Sequence, residues 1–399
     1  MEARFDVAVI GAGPAGSIAA RECAKQGLET LLIEKEKFPR SKPCGGGVSV
    51  KAIDLIDEKI PEDLIERRVR GFRFFSPSLD CVEFSSEDLF GISTTRDRFD
   101  AFLVRLAMAE GCKFVDSDAV TDISILKDKA SCKMCSGRSV EGDILIGADG
   151  SYGITAGKAG IRERWNKDEV GLCLEGTWLL DEERVTRTSS GLFELYFLNS
   201  TFWGWLFPKR SSFSMGIGGC MAGSDQSQEV LRNFCNTISK LKGIDAKISN
   251  VRGHLVPGGG FRRKIVSDRV MLVGDAAGFV DPLTGEGIYY AIRSGLSAAT
   301  ACKKAIEDGD ASTSFLETHY SKVCEKAFEK DLEIALDLAY KIHNHINIFF
   351  DLLKSYSGSG LLELARGETS YGAIRRKVLP WLVVKLAQQR IQKLFDKPA

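Results

Sequence analysis

The start of the chain restricts its fold more than any other stretch. Residues 6–10 form a short, almost wholly apolar run that leads directly into Gly11-Ala12-Gly13-Pro14-Ala15-Gly16. A continuous apolar run is the pattern of a strand buried on both faces. Pro14 suits a first helical position, residues 17–26 have helical composition, Gly27 closes the helix, and residues 30–33 read as a second strand. Glu34, followed by Lys35, then stands at the end of that strand, about twenty residues past the glycines. The glycines permit a tight turn and close approach of backbone to a pyrophosphate at a helix N-terminus, and the Glu34 carboxylate can accept hydrogen bonds from a ribose diol. A bare GxGxxG is a common turn; a strand, helix, second strand and acid in order make it a βαβ dinucleotide site.

Two later strands end in the same way. Residues 143–146 run into Gly147-Ala148-Asp149-Gly150. Residues 269–273 run into Gly274-Asp275-Ala276-Ala277, followed by Asp281-Pro282-Leu283-Thr284-Gly285-Glu286-Gly287 and a helix from Ile288. An aspartate at the carboxyl edge of a strand can hold a polyol, and a glycine-rich turn before a helix can aim backbone N–H groups at an anionic ring edge. These three stretches, GAGPAG, ADG and GDAAG with DPLTGEGI, resemble the FAD fingerprints of the para-hydroxybenzoate hydroxylase-like flavoproteins. The resemblance implies FAD as the cofactor. It places Gly11, Gly13, Ala15, Gly16, Glu34, Lys35, Asp149, Gly274, Asp281, Gly285, Gly287 and Ile288 along it, with Arg96 helping to hold it and Asp275 bonding its ribityl chain. The helix that would carry Arg96 is legible by itself, because Phe99, Phe102, Leu103 and Leu106 recur at helical spacing before Gly111.

The segments 66–92 and 165–254 interrupt these pieces with a different texture. Apolar residues alternate or cluster between turn signals at 69–75, 81–84, 171–178, 192–197 and 213–218, as in antiparallel strands. The expected architecture is therefore α/β. A discontinuous Rossmann-type FAD-binding domain (1–65, 93–164, 255–315) would carry an inserted antiparallel-sheet substrate domain (66–92, 165–254) and a C-terminal helical region (316–399). The phenylalanines crowded into the insert serve as sheet core or line a long apolar slot.

Two local patterns narrow the family. Pro43-Cys44-Gly45-Gly46-Gly47 puts a cysteine beside a glycine-rich turn, where it can approach an isoalloxazine. Phe202-Trp203-Gly204-Trp205-Leu206-Phe207-Pro208-Lys209 is an aromatic run ending in Phe-Pro, followed by Gly216-Ile217-Gly218-Gly219. Both resemble the geranylgeranyl reductase family, in its archaeal diether-lipid branch, as does Gly367-Glu368-Thr369-Ser370-Tyr371. The resemblance implies reduction of isolated double bonds in geranylgeranyl chains. Cys44, Gly45 and Gly46 would then lie at the cofactor, Trp203, Trp205, Phe207 and Pro208 at the substrate, and Cys44 and Trp205 would take part in the chemistry. The aromatic motif also overlaps the Trp-x-Trp-x-Ile-Pro signature of flavin-dependent halogenases, which carry an activating lysine in a context not found here. A flavin hydroxylase, or an electron-transfer flavoprotein dehydrogenase feeding quinone, would share the FAD motifs; the latter carries iron–sulfur cysteine clusters. The substrate is either a diether phospholipid or geranylgeranyl diphosphate and chlorophyll precursors. The electron donor, NADPH or ferredoxin, stays open.

Composition removes other classes. Lys plus Arg and Asp plus Glu are 54 each, so no global field draws nucleic acid. Eleven cysteines scattered along the chain suit a reducing compartment, and the first residues lack the sections of a signal peptide, so a cytoplasmic protein is expected. Cys132 and Cys135 have CxxC spacing in strand-like sequence, where they point to opposite faces. His254, His343 and His345 read as structural, and no metal site is expected. Gly258-Gly259-Gly260 reads as a loop with no strand before it and hence no second nucleotide site. Beyond residue 370, Arg375, Arg376, Lys377, Lys385, Arg390, Lys393 and Lys397 face only Asp396. Beside the apolar stretch 379–384 they suit either peripheral contact with the inner face of an anionic membrane or a solvated helical face.

Overall fold

The computed structural model describes residues 3–355 and 359–380. Lys385, Arg390, Lys393, Lys397 and the end of the apolar stretch lie outside the described residues. The N-terminal apolar run forms strand Ala3–Ile10, paired in parallel with Thr30–Ile33 on one side and Ser139–Gly147 on the other. The sheet continues through Lys113–Val115 at one edge and through Val270–Leu272 and the antiparallel Val266–Ser267 at the other. A hairpin, Val120–Ile125 with Ala130–Met134, extends off Ser139–Gly147 in antiparallel sense. Helices Pro14–Lys25 and Ile288–Asp308 pack together over this sheet, with Ala15, Ala19, Ala298 and Ala299 in its main core. The small side chains let the two helices come close: a Cβ on Gly295 would stand 2.6 Å from Ala15 O. Three strands therefore end side by side at Ile10, Gly147 and Leu272, where ligands of parallel α/β sheets bind.

A second sheet has seven strands in the order Ile248–Val256, Gly171–Leu179, Ser212–Cys220, Phe202–Pro208, Phe193–Phe197, Gly71–Phe75, Cys81–Ser85. Period-2 alternation gives it two unlike faces. Leu174, Trp178, Tyr196, Phe202, Leu206 and Phe213 point one way and bury Leu231, Phe234 and Ile238 of helix Ser227–Lys242. The other face carries Trp203, Trp205 and Phe207. One pair departs from the antiparallel expectation, since Phe193–Phe197 runs parallel to Gly71–Phe75. The two strands are joined by the whole segment 76–192, and no tight turn forces them to reverse. A three-stranded sheet of Gly47–Ser49, Gly91–Ser93 and Arg67–Val69 lies beside both.

The triple glycine also differs from expectation. Strand Ile248–Val256 ends just before Gly258, but it is a sheet edge and no helix follows, so the elements of a phosphate-binding turn are absent there. Cys132 is buried in strand Ala130–Met134, while Cys135 lies exposed in the turn just beyond it and donates to Asp118, so the two do not face one another across a strand. After residue 316 the chain is helical through Lys330–Asn344, Ile346–Ser355, Ser359–Arg366 and 371–380. None of the described helices is long and apolar enough to cross a membrane.

Candidate active site

The first glycine turn is held between strand ends. Gly11 N donates to Ile33 O at 2.7 Å and Ala148 N to Ile10 O at 2.8 Å. Gly11 takes a φ of +104°, and a Cβ there would stand 2.4 Å from Ala148 O. Asp149 follows at once; one carboxylate oxygen accepts from Thr155 N and Oγ1, and the other is buried without a partner. Ala15 meets Gly274, and Gly287 meets Asp275, so the GAGPAG, GDAAG and DPLTGEG stretches form one lining. Glu34 is buried at the end of its strand, with oxygens accepting from Ala12 N at 3.0 Å and Glu36 N at 3.1 Å. Lys35 is exposed beside it.

Two guanidinium groups converge over Gly13. A Cβ at Gly13 would find Arg40 Nη2 at 3.8 Å and Arg96 Nη2 at 3.9 Å as its nearest neighbours. Both arginines are held by the fully buried Asp100: Arg96 Nε and Nη2 and Arg40 Nη1 each donate at 2.8 Å. Burial alone would raise the Asp100 carboxyl, but Arg96, Arg40 and Lys42 hold it below the usual carboxylate range. Asp275 is similar. Burial is outweighed by Lys42 at 3.4 Å, His254 at 3.8 Å and Arg96, and the carboxyl is held low. His254 thus corrects its purely structural reading: the strand alternation that pairs it with Cys173 turns it toward Asp275, and its Nε2 is buried with no hydrogen-bond partner. Thr95 Oγ1, beside Arg96, is likewise buried and unpartnered.

The Cys44 turn packs on the aromatic face. A Cβ on Gly45 would lie 2.7 Å from the Phe207 ring and 3.5 Å from Trp205 Nε1, and one on Gly46 would lie 2.1 Å from Thr94 O. Trp203 and Trp205 have centroids 5.4 Å apart, and Phe207 stacks on Phe193 at 4.0 Å. Across the strand pair, Gly218 faces Trp203 and Gly216 faces Trp205, which leaves the indoles room to lie along the sheet. Trp205 Nε1 donates to Ser214 Oγ at 3.2 Å, and Ser214 in turn donates to Glu175, whose carboxyl burial pushes up. Trp203 also touches Gly285, joining the aromatic face to the first lining. Phe349 and Phe350 from Ile346–Ser355 meet Phe197 at 5.5 and 5.6 Å.

Three expected residues do other work. Asp281 spends its carboxylate on Leu283 N, Thr284 N and the Tyr371 hydroxyl, which donates at 2.6 Å, so it shapes the DPLTGEG turn and ties it to GETSY. Pro208 alternates to the far side of its strand, where its carbonyl accepts from Ser93. Ile288 opens its helix but buries its side chain with Val48, Ile92 and Phe99.

The residues fit an anionic dinucleotide: a bare Gly13 at a helix start, two guanidiniums aimed over it, and unpartnered polar atoms on Thr95 and His254. Comparison with known proteins agrees. An FAD-binding domain model matches residues 4–333. Digeranylgeranylglycerophospholipid reductase 3 of Methanosphaera stadtmanae is 30% identical over 98% of this chain and 97% of its own. The chain belongs to the geranylgeranyl reductase family. Its cofactor is FAD. The chloroplastic geranylgeranyl diphosphate reductase of Nicotiana tabacum is 32% identical over 76% of this chain and 67% of its own. The geranylgeranyl bacteriochlorophyll reductase-like structure from Thermoplasma acidophilum aligns at a TM-score of 0.83 and 25% identity, covering 95% of this chain and all of that one.

In this family member, sequence reasoning missed Arg40, Lys42, Asp100, Glu175, Ser214 and Lys209. Arg40 and Lys42 had a signal, two cations immediately before the Cys-Gly turn; the others became visible only when strands were paired. The glycine opposite Trp205 gives a direct test. A Cβ on Gly216 would stand 2.3 Å from the Trp205 ring and 2.4 Å from Leu174 O. Gly216→Val is expected to push the indole off the sheet at a cost of about 1–3 kcal/mol and to lower turnover at least tenfold, with FAD retained. FAD absorbance, and stopped-flow reoxidation of the reduced flavin by the substrate proposed below, check this.

Proposed function

We propose that the protein saturates isolated double bonds of geranylgeranyl chains, with a diether phospholipid as the preferred substrate. The observation that carries this reading is the apolar aromatic face of Trp203, Trp205, Phe207 and Phe193, laid against the Cys44 turn and continued by Phe349 and Phe350. A surface of that kind suits a long hydrocarbon with few polar groups. The archaeal relative matched along nearly its whole length favours the lipid over the free diphosphate.

FAD, in its reduced form, supplies hydride. Arg40, Arg96 and the helix start at Gly13 would hold its pyrophosphate, and Asp275 with His254 its polyol. An isolated alkene has no carbonyl to accept charge, so its other carbon needs a proton while positive charge builds at the tertiary carbon. Cys44 is the proton donor in this reading. Trp205, its N–H committed to Ser214, turns a π face to the substrate and stabilises that charge. The rings around them exclude water, which would otherwise capture the cation.

The test is anaerobic. Holoenzyme reduced with dithionite, then mixed with geranylgeranyl phospholipid or diphosphate, is expected to reoxidise as product gains about two mass units per bond, faster with the phospholipid. Repeating the cycle with NADPH and with reduced ferredoxin identifies the donor. A flavin that stays reduced until oxygen or quinone is admitted would sink the reductase reading in favour of a hydroxylase, halogenase or quinone-linked flavoprotein.

A further inference from the structure

Lys209 follows directly on the aromatic motif and is 6% exposed. Its ammonium donates to Gly45 O at 2.7 Å and to Thr94 O at 2.6 Å, two neutral carbonyls on either side of the Cys44 turn. The fit is close: a Cβ on Gly46 would stand 2.5 Å from Nζ. Burying an ion costs several kcal/mol unless a counter-charge repays it. The nearby carboxyls are poor counter-charges. Glu175 bonds Ser214, and burial pushes its carboxyl up toward the neutral form; Glu66 accepts from Arg210 N and Arg98. Burial accordingly lowers the Lys209 amine to about 8. The remaining polar group at this turn is Cys44, whose sulfur accepts from Gly46 N at 3.3 Å, and Lys209, Arg96 of helix Arg96–Ala109 and Cys173 of strand Gly171–Leu179 all lie within electrostatic reach of it.

We propose that Lys209 is a positioning residue for Cys44: its ammonium clamps the cysteine-glycine turn onto the aromatic face and offsets the negative charge left on sulfur when the thiol gives up its proton. This rests on the reading of Cys44 as proton donor. In that step the alkene π pair takes the proton, the S–H bonding pair stays on sulfur as thiolate, and the tertiary carbon, now electron-poor, accepts hydride. With the Lys209 ammonium held at Gly45 O, one residue from Cys44, the thiolate forms near a cation rather than in bare apolar surroundings.

Holoenzyme of the wild type, Lys209→Met and Lys209→Arg decides the matter. Two quantities are read at about pH 7.5: iodoacetamide labelling of the Cys44 peptide by mass spectrometry, and kcat and KM for lipid reduction. The Met variant is expected to keep FAD, label Cys44 about tenfold more slowly and lose kcat by about the same factor, with KM little changed, and Arg to restore most of both. Equal labelling and equal kcat in the Met variant overturns the proposal, as does a loss confined to KM or an Arg variant as impaired as Met. If Met costs FAD, Lys209→Gln, which keeps a donor without the charge, is read in its place. If wild type reduces no alkene, the functional reading fails, while the labelling rates still decide whether Lys209 acts on Cys44.

Discussion

Gly16→Ala is expected to purify without its yellow cofactor. The new Cβ would stand 1.9 Å from Gly11 O and 2.9 Å from Ala148 Cβ. Neither neighbour can yield, because the backbone hydrogen bonds of Gly11 and Ala148 fasten them to strand ends. Overpacking against side chains alone costs about 1–3 kcal/mol. Here helix Pro14–Lys25 must lift from the turn, so about 3 kcal/mol or more is expected, roughly two orders of magnitude in FAD affinity. Gly13→Ala is the matched control. Its Cβ would meet only guanidinium nitrogens at 3.8 and 3.9 Å, so the apoprotein should melt as wild type does while FAD binding weakens, the methyl intruding where the arginines converge. FAD absorbance per protein and the Tm of each apoprotein report both. A Gly16→Ala protein with wild-type FAD affinity would detach the pyrophosphate from this turn.

Asp100→Asn is expected to destabilise the apoprotein by about 3–5 kcal/mol, since it leaves two buried guanidiniums without their carboxylate. The substitution conserves shape but turns an NH2 toward groups that only donate. The pH dependence has a definite sign. Because the folded carboxyl is held below its unfolded value of about 3.9, it contributes stability that is complete above about pH 5 and is lost as pH falls through the folded value. Wild type should therefore lose urea resistance steeply below about pH 4, and the Asn variant should lack that part of the slope. Holoenzyme should suffer less, because an anion over Gly13 compensates the arginines. A variant with the wild-type urea midpoint at neutral pH would show that Asp100 is not what holds them.

The glycine and aspartate positions of the proposed FAD lining can be read from local pattern. Gly11, Asp149, Gly274 and Asp275 lie where strands end and Gly16 in the first turn of the helix that follows, and strand ends can be read from apolar runs that stop at glycine and aspartate. The two aromatic positions Trp203 and Trp205 share a face because strands alternate with period two, and Pro208 falls on the other face for the same reason. What local pattern does not show for Asp281 is that its carboxylate bonds Leu283 N, Thr284 N and the Tyr371 hydroxyl, the last 90 residues away. His254 could not be placed from sequence because Asp275, 3.8 Å from it, follows a strand of the first sheet while His254 stands on the edge strand of the second.

The sequence by itself determined the βαβ start, the strand-end aspartates, the helix behind Arg96 and the aromatic strand, because each depends on residues within a few turns or pleats of one another. Only the tertiary structure decided what surrounds Cys44. Lys209 clamps its turn to Thr94, Arg96 and Cys173 come near it from a helix and a strand far apart in the chain, and Arg40 and Arg96 share Asp100 across 60 residues of chain. Charges meet through space, and the energy of their meeting depends on burial that no local pattern records.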